Sequence, residues 1–358
     1  MDSSGNLIWK FDSGGSIYNT SIICSNEKVL FGNDNGLFFA IGLDGKLLWK
    51  FKAGDAIRTT PALINNKIIF GSHDHNMYCL DYEGRLQWKF ITGGIMWTCP
   101  CIISSDGELL WSIGYQDVKS SDKFVIYFGC FDGGLYCLDE NGKFVWKYHT
   151  NGITSSGPEF SDGVIYFGSS DGYLYAVNHS ARNLRWKCKT TSRIGHSSPL
   201  IAGDSIFVGD FNVDETSTSG SLYCINRNGS LKWKFSTGNA IVSTPLIHKG
   251  ILFFGSCDGF LYAISLKKEE LLWKFRTLYE KVNFDQLKSI KHTEIGEERL
   301  RNILSTWAPE TSLETAKNRD YESQKTDYNK NVTLYGSSKD AEKFSYGQDY
   351  RNKRKPYN

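Results

Sequence analysis

The sequence predicts an all-β protein: a β-propeller of about six to seven four-stranded blades, followed by a short helical and then disordered C-terminal tail. Three observations carry that reading. A motif with a central tryptophan recurs from Leu7 to Phe275, and its tryptophans (Trp9, Trp49, Trp88, Trp146, Trp186, Trp233, Trp273) are spaced by 40, 39, 58, 40, 47 and 40 residues. Each interval runs through four short apolar stretches in one order. Clusters of Gly, Asp and Asn separate those stretches.

The last interval shows the order in full. Ser243-Thr244-Pro245-Leu246-Ile247 opens it, Ile251 to Gly255 and Phe260 to Ile264 follow, and Leu271-Leu272-Trp273-Lys274-Phe275 ends it. Stretches of this length, rich in β-branched and aromatic residues and bounded by turn residues, are strands. Asp132-Gly133, Asp171-Gly172 and Asp258-Gly259 supply the positive-φ positions of tight hairpins. Such a unit cannot bury both of its faces alone, so units stack, and radial stacking leaves only short protected edges. The two long intervals contain polar insertions near residues 104–122 and 212–219, which read as surface loops. Leu7-Ile8-Trp9-Lys10-Phe11 is a fourth strand with no predecessors. Six blades plus an extra strand, or seven with an imperfect last blade, both fit, and Val332 to Ser338 is a degenerate echo of the second strand that is a candidate for that last blade.

Gly-Ser-x-Asp-Gly-x-Leu-Tyr-Ala followed by Asp-Gly-x-x-x-Trp-Lys-Phe resembles the repeat of the quinoprotein-like (PQQ-like, for pyrroloquinoline quinone) propeller family, from Gly5 to about Arg276. The resemblance implies that Trp49, Trp88, Trp146, Trp186, Trp233 and Trp273 dock between adjacent blades, a duty suited to a large ring with one donor. It also implies that a catalytic member carries an adjacent-cysteine disulfide, a calcium-binding set of acids and amides, and an aspartate base around the ring centre. Cys99-Pro100-Cys101 is the nearest match here, and it is not an adjacent pair. In architecture the chain is similar to the barrel-assembly lipoprotein members, although Met1 to Lys10 carries no lipidation signal. The expectation is a non-enzymatic binding or assembly scaffold for a protein or peptide partner, with no cofactor. A quinone-dependent dehydrogenase is the alternative.

Charge excludes little. The 41 basic and 39 acidic residues leave a net +2, too balanced to point to nucleic acid or an anionic membrane. No apolar run approaches the ~20 residues of a membrane span, and the N-terminus shows no export signal. The nine cysteines are scattered, and Cys79, Cys137 and Cys224 share a repeat position held elsewhere by Ala40, Ala176 and Ala263, as buried reduced thiols do. A cytoplasmic location, no nucleic acid and no membrane insertion are therefore expected. The propeller is assigned residues 5–277 and a helical segment residues 278–308, where Phe284, Leu287, Ile295, Leu300, Ile303, Leu304 and Trp307 fall near helical spacing. Residues 309–358 are too polar to form a core, and their tyrosines, beginning Tyr321, Tyr328 and Tyr335, suit a short-motif tail read by a partner.

Few residues suggest chemistry. Cys99 and Cys101, placed on one side by strand alternation, read as core thiols before metal ligands. His73-Asp74-His75 is a possible transition-metal set, but it stands where other repeats have a hairpin turn and is expected to be exposed, so no metal is assigned. Arg58, Trp97, Ser156, His196 and Ile241 or Val242 lie just before the Ser/Thr-Pro elements and are expected to ring one mouth of the central channel. Of these, Arg58, Trp97 and His196 are the candidate binding residues.

Overall fold

The computed structural model describes residues 7–18, 22–112, 121–212 and 219–277. The helical segment 278–308, the tail 309–358 and the echo at Val332 to Ser338 lie outside them. The chain divides into two compact units, Trp9–Phe284 and a second made of Met1–Ile8 with Asp285–Asn358. Of the second unit only Leu7 and Ile8 are described, and both are exposed.

Within Trp9–Phe284 the described residues form six antiparallel sheets in chain order, with no helix among them. Blade 1 is β1 (Ile23–Ser25), β2 (Lys28–Gly32), β3 (Leu37–Gly42) and β4 (Leu47–Lys52). Blade 2 is β5 (Ala62–Ile64), β6 (Lys67–Gly71), β7 (Asn76–Asp81) and β8 (Leu86–Ile91). Blade 3 holds β9 (Cys101–Ser104), β10 (Leu109–Trp111), β11 (Phe124–Cys130), β12 (Gly134–Asp139) and β13 (Phe144–His149). Blade 4 is β14 (Glu159–Ser161), β15 (Val164–Ser169), β16 (Tyr173–Asn178) and β17 (Leu184–Lys189). Blade 5 is β18 (Leu200–Ala202), β19 (Ser205–Gly209), β20 (Gly220–Asn226) and β21 (Leu231–Thr237), and blade 6 is β22 (Leu246–His248), β23 (Ile251–Ser256), β24 (Phe260–Ser265) and β25 (Glu270–Arg276). The fold is thus the expected all-β propeller architecture, with six blades among the described residues.

The strand register explains the alanine-or-cysteine position. The third strand of each blade sets a small residue directly opposite the repeated tryptophan: Ala40 and Trp49, Cys79 and Trp88, Cys137 and Trp146, Ala176 and Trp186, Cys224 and Trp233, Ala263 and Trp273. One residue later the outer strand bulges. A bulge increases local twist, and the indole fills the space, so only a methyl or a thiol fits across from it. Cys79, Cys137 and Cys224 are accordingly buried and free.

All six tryptophans are half-buried, and Trp49, Trp88, Trp146, Trp186 and Trp233 pack in clusters shared with the next blade, whereas Trp273, in the last described blade, has no next blade to enter among the described residues. The Trp49 indole N–H donates to the Tyr82 carbonyl at 3.0 Å, and that of Trp186 donates to the Arg227 carbonyl at 2.8 Å. The rings of Trp49, Trp88 and Trp186 lie across the glycine of the receiving turn, Gly84, Gly142 and Gly229: a Cβ on Gly84 would stand 2.6 Å from the Trp49 ring. Gly84 has φ +83°, so the position is glycine's on two counts. A repeated aspartate ties the blades at the opposite end of the hairpin. Asp74 accepts from the Tyr78 hydroxyl at 2.6 Å and from the Gly54 N–H, in the connection from the preceding blade, at 2.6 Å. Asp258 does the same with Tyr262 at 2.7 Å and the Gly238 N–H at 3.0 Å.

The first insertion is a correction to the sequence reading. Its described part is not a surface loop, because β10 pairs with β9 on the side away from the rest of blade 3 and packs on β5. First strands of successive blades also meet one another, β9 with β14 and β14 with β18. The added strand therefore lies among the first strands, toward the axis. Leu110 and Trp111 fill that position, with Trp111 only 1% exposed. A Leu-Leu-Trp run inside an otherwise polar stretch has no other place to hide its apolar surface.

Candidate functional site

The connections that carry the chain from one blade to the next hold equivalent residues three places before the proline. They are Arg58, Trp97, Ser155, His196 and Val242, and Tyr18 stands at the same distance before Ser21, which takes the proline's place. The next residue has a structural duty. The Thr59 hydroxyl bonds both the N–H and the carbonyl of Gly71 at 2.9 Å, and Thr98 and Ser243 make the same pair with Gly129 and Gly255. Ser156, expected on the rim, stands at this second position and is buried, but its hydroxyl has no partner among the described residues; the position equivalent to Arg58 is held by Ser155, which is buried as well. Ile241 is likewise buried and Val242 is exposed.

The hairpin between the second and third strands contributes a matching set. Asp34, His73, Phe131, Ser170, Phe211 and Cys257 each donate a backbone N–H to a carbonyl of the neighbouring connection: Ser16, Ala56, Ile95, Ile153, Arg193 and Ala240, at 2.8 to 3.1 Å. The backbone hydrogen bond is the same in every blade while the six side chains are of five kinds: carboxylate, imidazole, phenyl (twice), hydroxyl and thiol.

Four members of these two sets, Arg58, His73, Phe131 and His196, meet at Trp97. Its ring centroid is 4.9 Å from that of His196, 5.2 Å from Phe131 and 5.4 Å from His73, and its indole N–H donates to His73 Nε2. The Arg58 guanidinium lies 5.8 Å over the Trp97 ring and 5.0 Å over the exposed Tyr18 ring, within cation–π range of both. It is held there by a bidentate pair with Asp34, Nε to Oδ1 at 2.8 Å and Nη2 to Oδ2 at 3.1 Å. His196 stacks on Phe211 at 6.1 Å. The expected trio Arg58, Trp97 and His196 is thus brought together. Asp34, Phe131 and Phe211 were missed, and His73 was singled out only as part of a possible metal set in an exposed turn; the signal for all four was the one variable place inside an otherwise repetitive turn.

Both histidines are held neutral. Burial first, then the Arg58 charge, brings the His73 pKa down to about 4, and burial lowers that of His196. A neutral His73 is what its role as acceptor from Trp97 requires. His73 is half-buried against Trp97, not the exposed turn residue expected from sequence. The site offers aromatic faces, one oriented cation and neutral imidazoles.

Below Trp97 the chain does not suit a quinone. Cys99 and Cys101 are free thiols, and burial pushes that of Cys99 up to about 12. They do not share one side as alternation suggested: Cys99 precedes the strand that starts at Cys101, and the two fall in different core clusters. Among the described residues no His, Cys, Asp and Glu side chains are grouped to hold a metal. Leu110 and Trp111 of β10 are buried among the first strands, toward the axis.

Comparison with known proteins agrees with the architecture. Two relatives are each 27% identical: an outer membrane protein assembly factor BamB of Yersinia pestis over 165 residues, and a tetrathionate hydrolase of Acidithiobacillus ferrooxidans over 138. The matches take in 42% and 33% of this chain but only 40% and 28% of those relatives' lengths. Among solved structures, BamB from Moraxella catarrhalis superposes with a TM-score of 0.60 at 16% identity, covering 76% of this chain and 78% of that one. A europium-containing methanol dehydrogenase follows with 0.55 at 13%, covering 72% and 68%. At such identities these structures speak for the fold alone. The family model described as outer membrane protein assembly factor BamB matches residues 1–96, 101–214 and 184–290, and with most of its length so matched the chain belongs to that family.

Proposed function

We propose that this protein is a non-enzymatic binding scaffold that holds a protein or peptide partner at the mouth formed by Tyr18, Arg58, Trp97 and His196. The observation that carries the reading is the meeting at Trp97 of four residues from the two positions per repeat that the architecture leaves free to vary. The other repeated residues have packing, turn or latching duties. Exposed Tyr18 beside Arg58 and Trp97 gives the rigid aromatic and cationic contacts that dominate protein recognition. The assembly role named for the BamB relatives supports a protein partner.

The dehydrogenase alternative draws on the methanol dehydrogenase neighbour, but Leu110 and Trp111, buried toward the axis, and the separated thiols speak against it. Selection of displayed peptides on the full chain, with re-screening on Trp97→Ala and Arg58→Ala, tests the scaffold reading. Enriched peptides should lose at least about tenfold in affinity on either substitution. Peptides indifferent to both, or quinone- and calcium-dependent dye reduction by the purified chain, would defeat it.

A further inference from the structure

Each blade covers the forward face of the blade before it. Blade 5 turns buried Phe207, Leu222 and Cys224 toward blade 6, with Trp233 and Phe235 packed alongside. The matching residues of blade 6 are Phe253, Leu261, Ala263, Trp273 and Phe275, preceded on β22 by Leu246. Among the described residues nothing covers that face: Leu246 is 63% and Phe275 57% exposed, whereas Ala62 and Cys101, two of the counterparts of Leu246, are at 0%.

The other end of the series shows what kind of cover fits. The rear face of blade 1, Val29, Phe31, Phe39 and Ile41, is packed by Phe11, whose ring lies 6.3 Å from Phe31 and 5.5 Å from Phe39. Trp9 donates to the Leu43 carbonyl at 2.7 Å and lies across Gly45. These are the contacts that Phe51 and Trp49 of β4 make on blade 2, at 6.2 Å to Phe70, 5.3 Å to Tyr78 and 3.0 Å to the Tyr82 carbonyl. Residues 9–11 therefore occupy the fourth-strand place of a further blade. Among the described residues their backbone N–H and C=O groups bond to none.

We propose that this incomplete blade is a second interaction site, independent of the Trp97 mouth, which takes a β-forming segment of a partner polypeptide. One strand of the segment adds to residues 9–11 through main-chain hydrogen bonds, as in β-strand addition, and its other strands lay their apolar face on Leu246, Phe253, Leu261 and Phe275. A sheet is the fitting occupant because a sheet covers every other forward face of the series, and because a helix would leave the edge at residues 9–11 unpaired.

A fluorescein-labelled synthetic peptide of residues 245–266 is a suitable probe, since it carries Leu252, Phe254, Tyr262 and Ile264, the rear face that covers blade 5. Titrated into the full chain, it should bind saturably and slow amide exchange at Lys10 and Phe11. Phe275→Glu and Leu246→Glu should each weaken it by at least about tenfold, while Trp97→Ala leaves it unchanged. Binding indifferent to both substitutions overturns the proposal, as does exchange at Lys10 and Phe11 that is already slow in the free chain. A dimer abolished by Phe275→Glu would replace the partner segment with a second copy.

Discussion

Trp97 and His196 touch, with ring centroids 4.9 Å apart, although the connections that carry them are not neighbours: residues 150–158 run between them and offer only Ser155 at the equivalent place. The large indole spans the gap that the small serine leaves. One side chain thereby links the blade 2–3 connection, which carries Trp97, to the blade 4–5 connection, which carries His196.

That packing sets the protonation of its neighbours. His73 should titrate near pH 4, and Arg58→Gln should raise its midpoint, because the Arg58 charge is the second cause of the depression after burial. The sign for stability follows. The unfolded chain takes up the proton below about 6.5, the folded one only near 4, so stability present above about pH 6.5 falls between those values. Imidazole proton shifts across pH 3–8 in both proteins check this; an unshifted midpoint in Arg58→Gln would refute the coupling.

Gly84→Ala and Gly107→Ala should separate backbone strain from indole contact. Both glycines have positive φ, +83° and +87°, but only Gly84 faces a tryptophan, and nothing lies within 4 Å of a Cβ at Gly107. Each change costs about 1–2 kcal/mol for the left-handed backbone. Gly84→Ala should cost at least about 1 kcal/mol more, because overpacking displaces Trp49. Urea unfolding of both variants measures the difference.

The aspartate latches should make the fold acid-sensitive. Burial acts to raise the pKa values of Asp74 and Asp258, but hydrogen bonds from Tyr78 and Tyr262 and from the Gly54 and Gly238 N–H groups bring them below the ordinary value. Their contribution is present above about pH 4, the unfolded value, and disappears as pH falls through the lower folded values. Tyr262→Phe should cost about 1 kcal/mol at neutral pH and reduce the loss on acidification. Equal pH slopes for parent and variant would show that the latch carries no such linkage.

Trp111→Ala should cost roughly 3–5 kcal/mol, the loss expected for an emptied aromatic site, and should open space toward the axis that indole can enter. The parent protein should bind neither indole nor pyrroloquinoline quinone in calorimetric titration. Quinone retained by the parent would mean that Leu110 and Trp111 do not exclude it.

Blade structure was legible because each strand, turn and tryptophan repeats with its own local cause. The Trp97 mouth was half legible. Arg58, Trp97 and His196 sit at one repeat offset, which sequence displays directly. Asp34, His73, Phe131 and Phe211 reach the same place from another part of each repeat, tens of residues away in the chain or more, and no periodicity connects them. The insertion misled because its mean polarity, averaged over residues 104–122, concealed the short Leu109–Trp111 strand.

By itself the sequence determined the strand order, the hairpin turns and the stacking of like units, since these follow from side-chain alternation, positive-φ residues and the need to bury a face that one sheet cannot cover alone. Only the tertiary structure decided that, among the described residues, there are six blades, β10 turns toward the axis, and one forward face has no covering sheet. Those outcomes depend on which surfaces meet across blades, and contact between distant segments is settled by packing, which leaves no period in the chain to read.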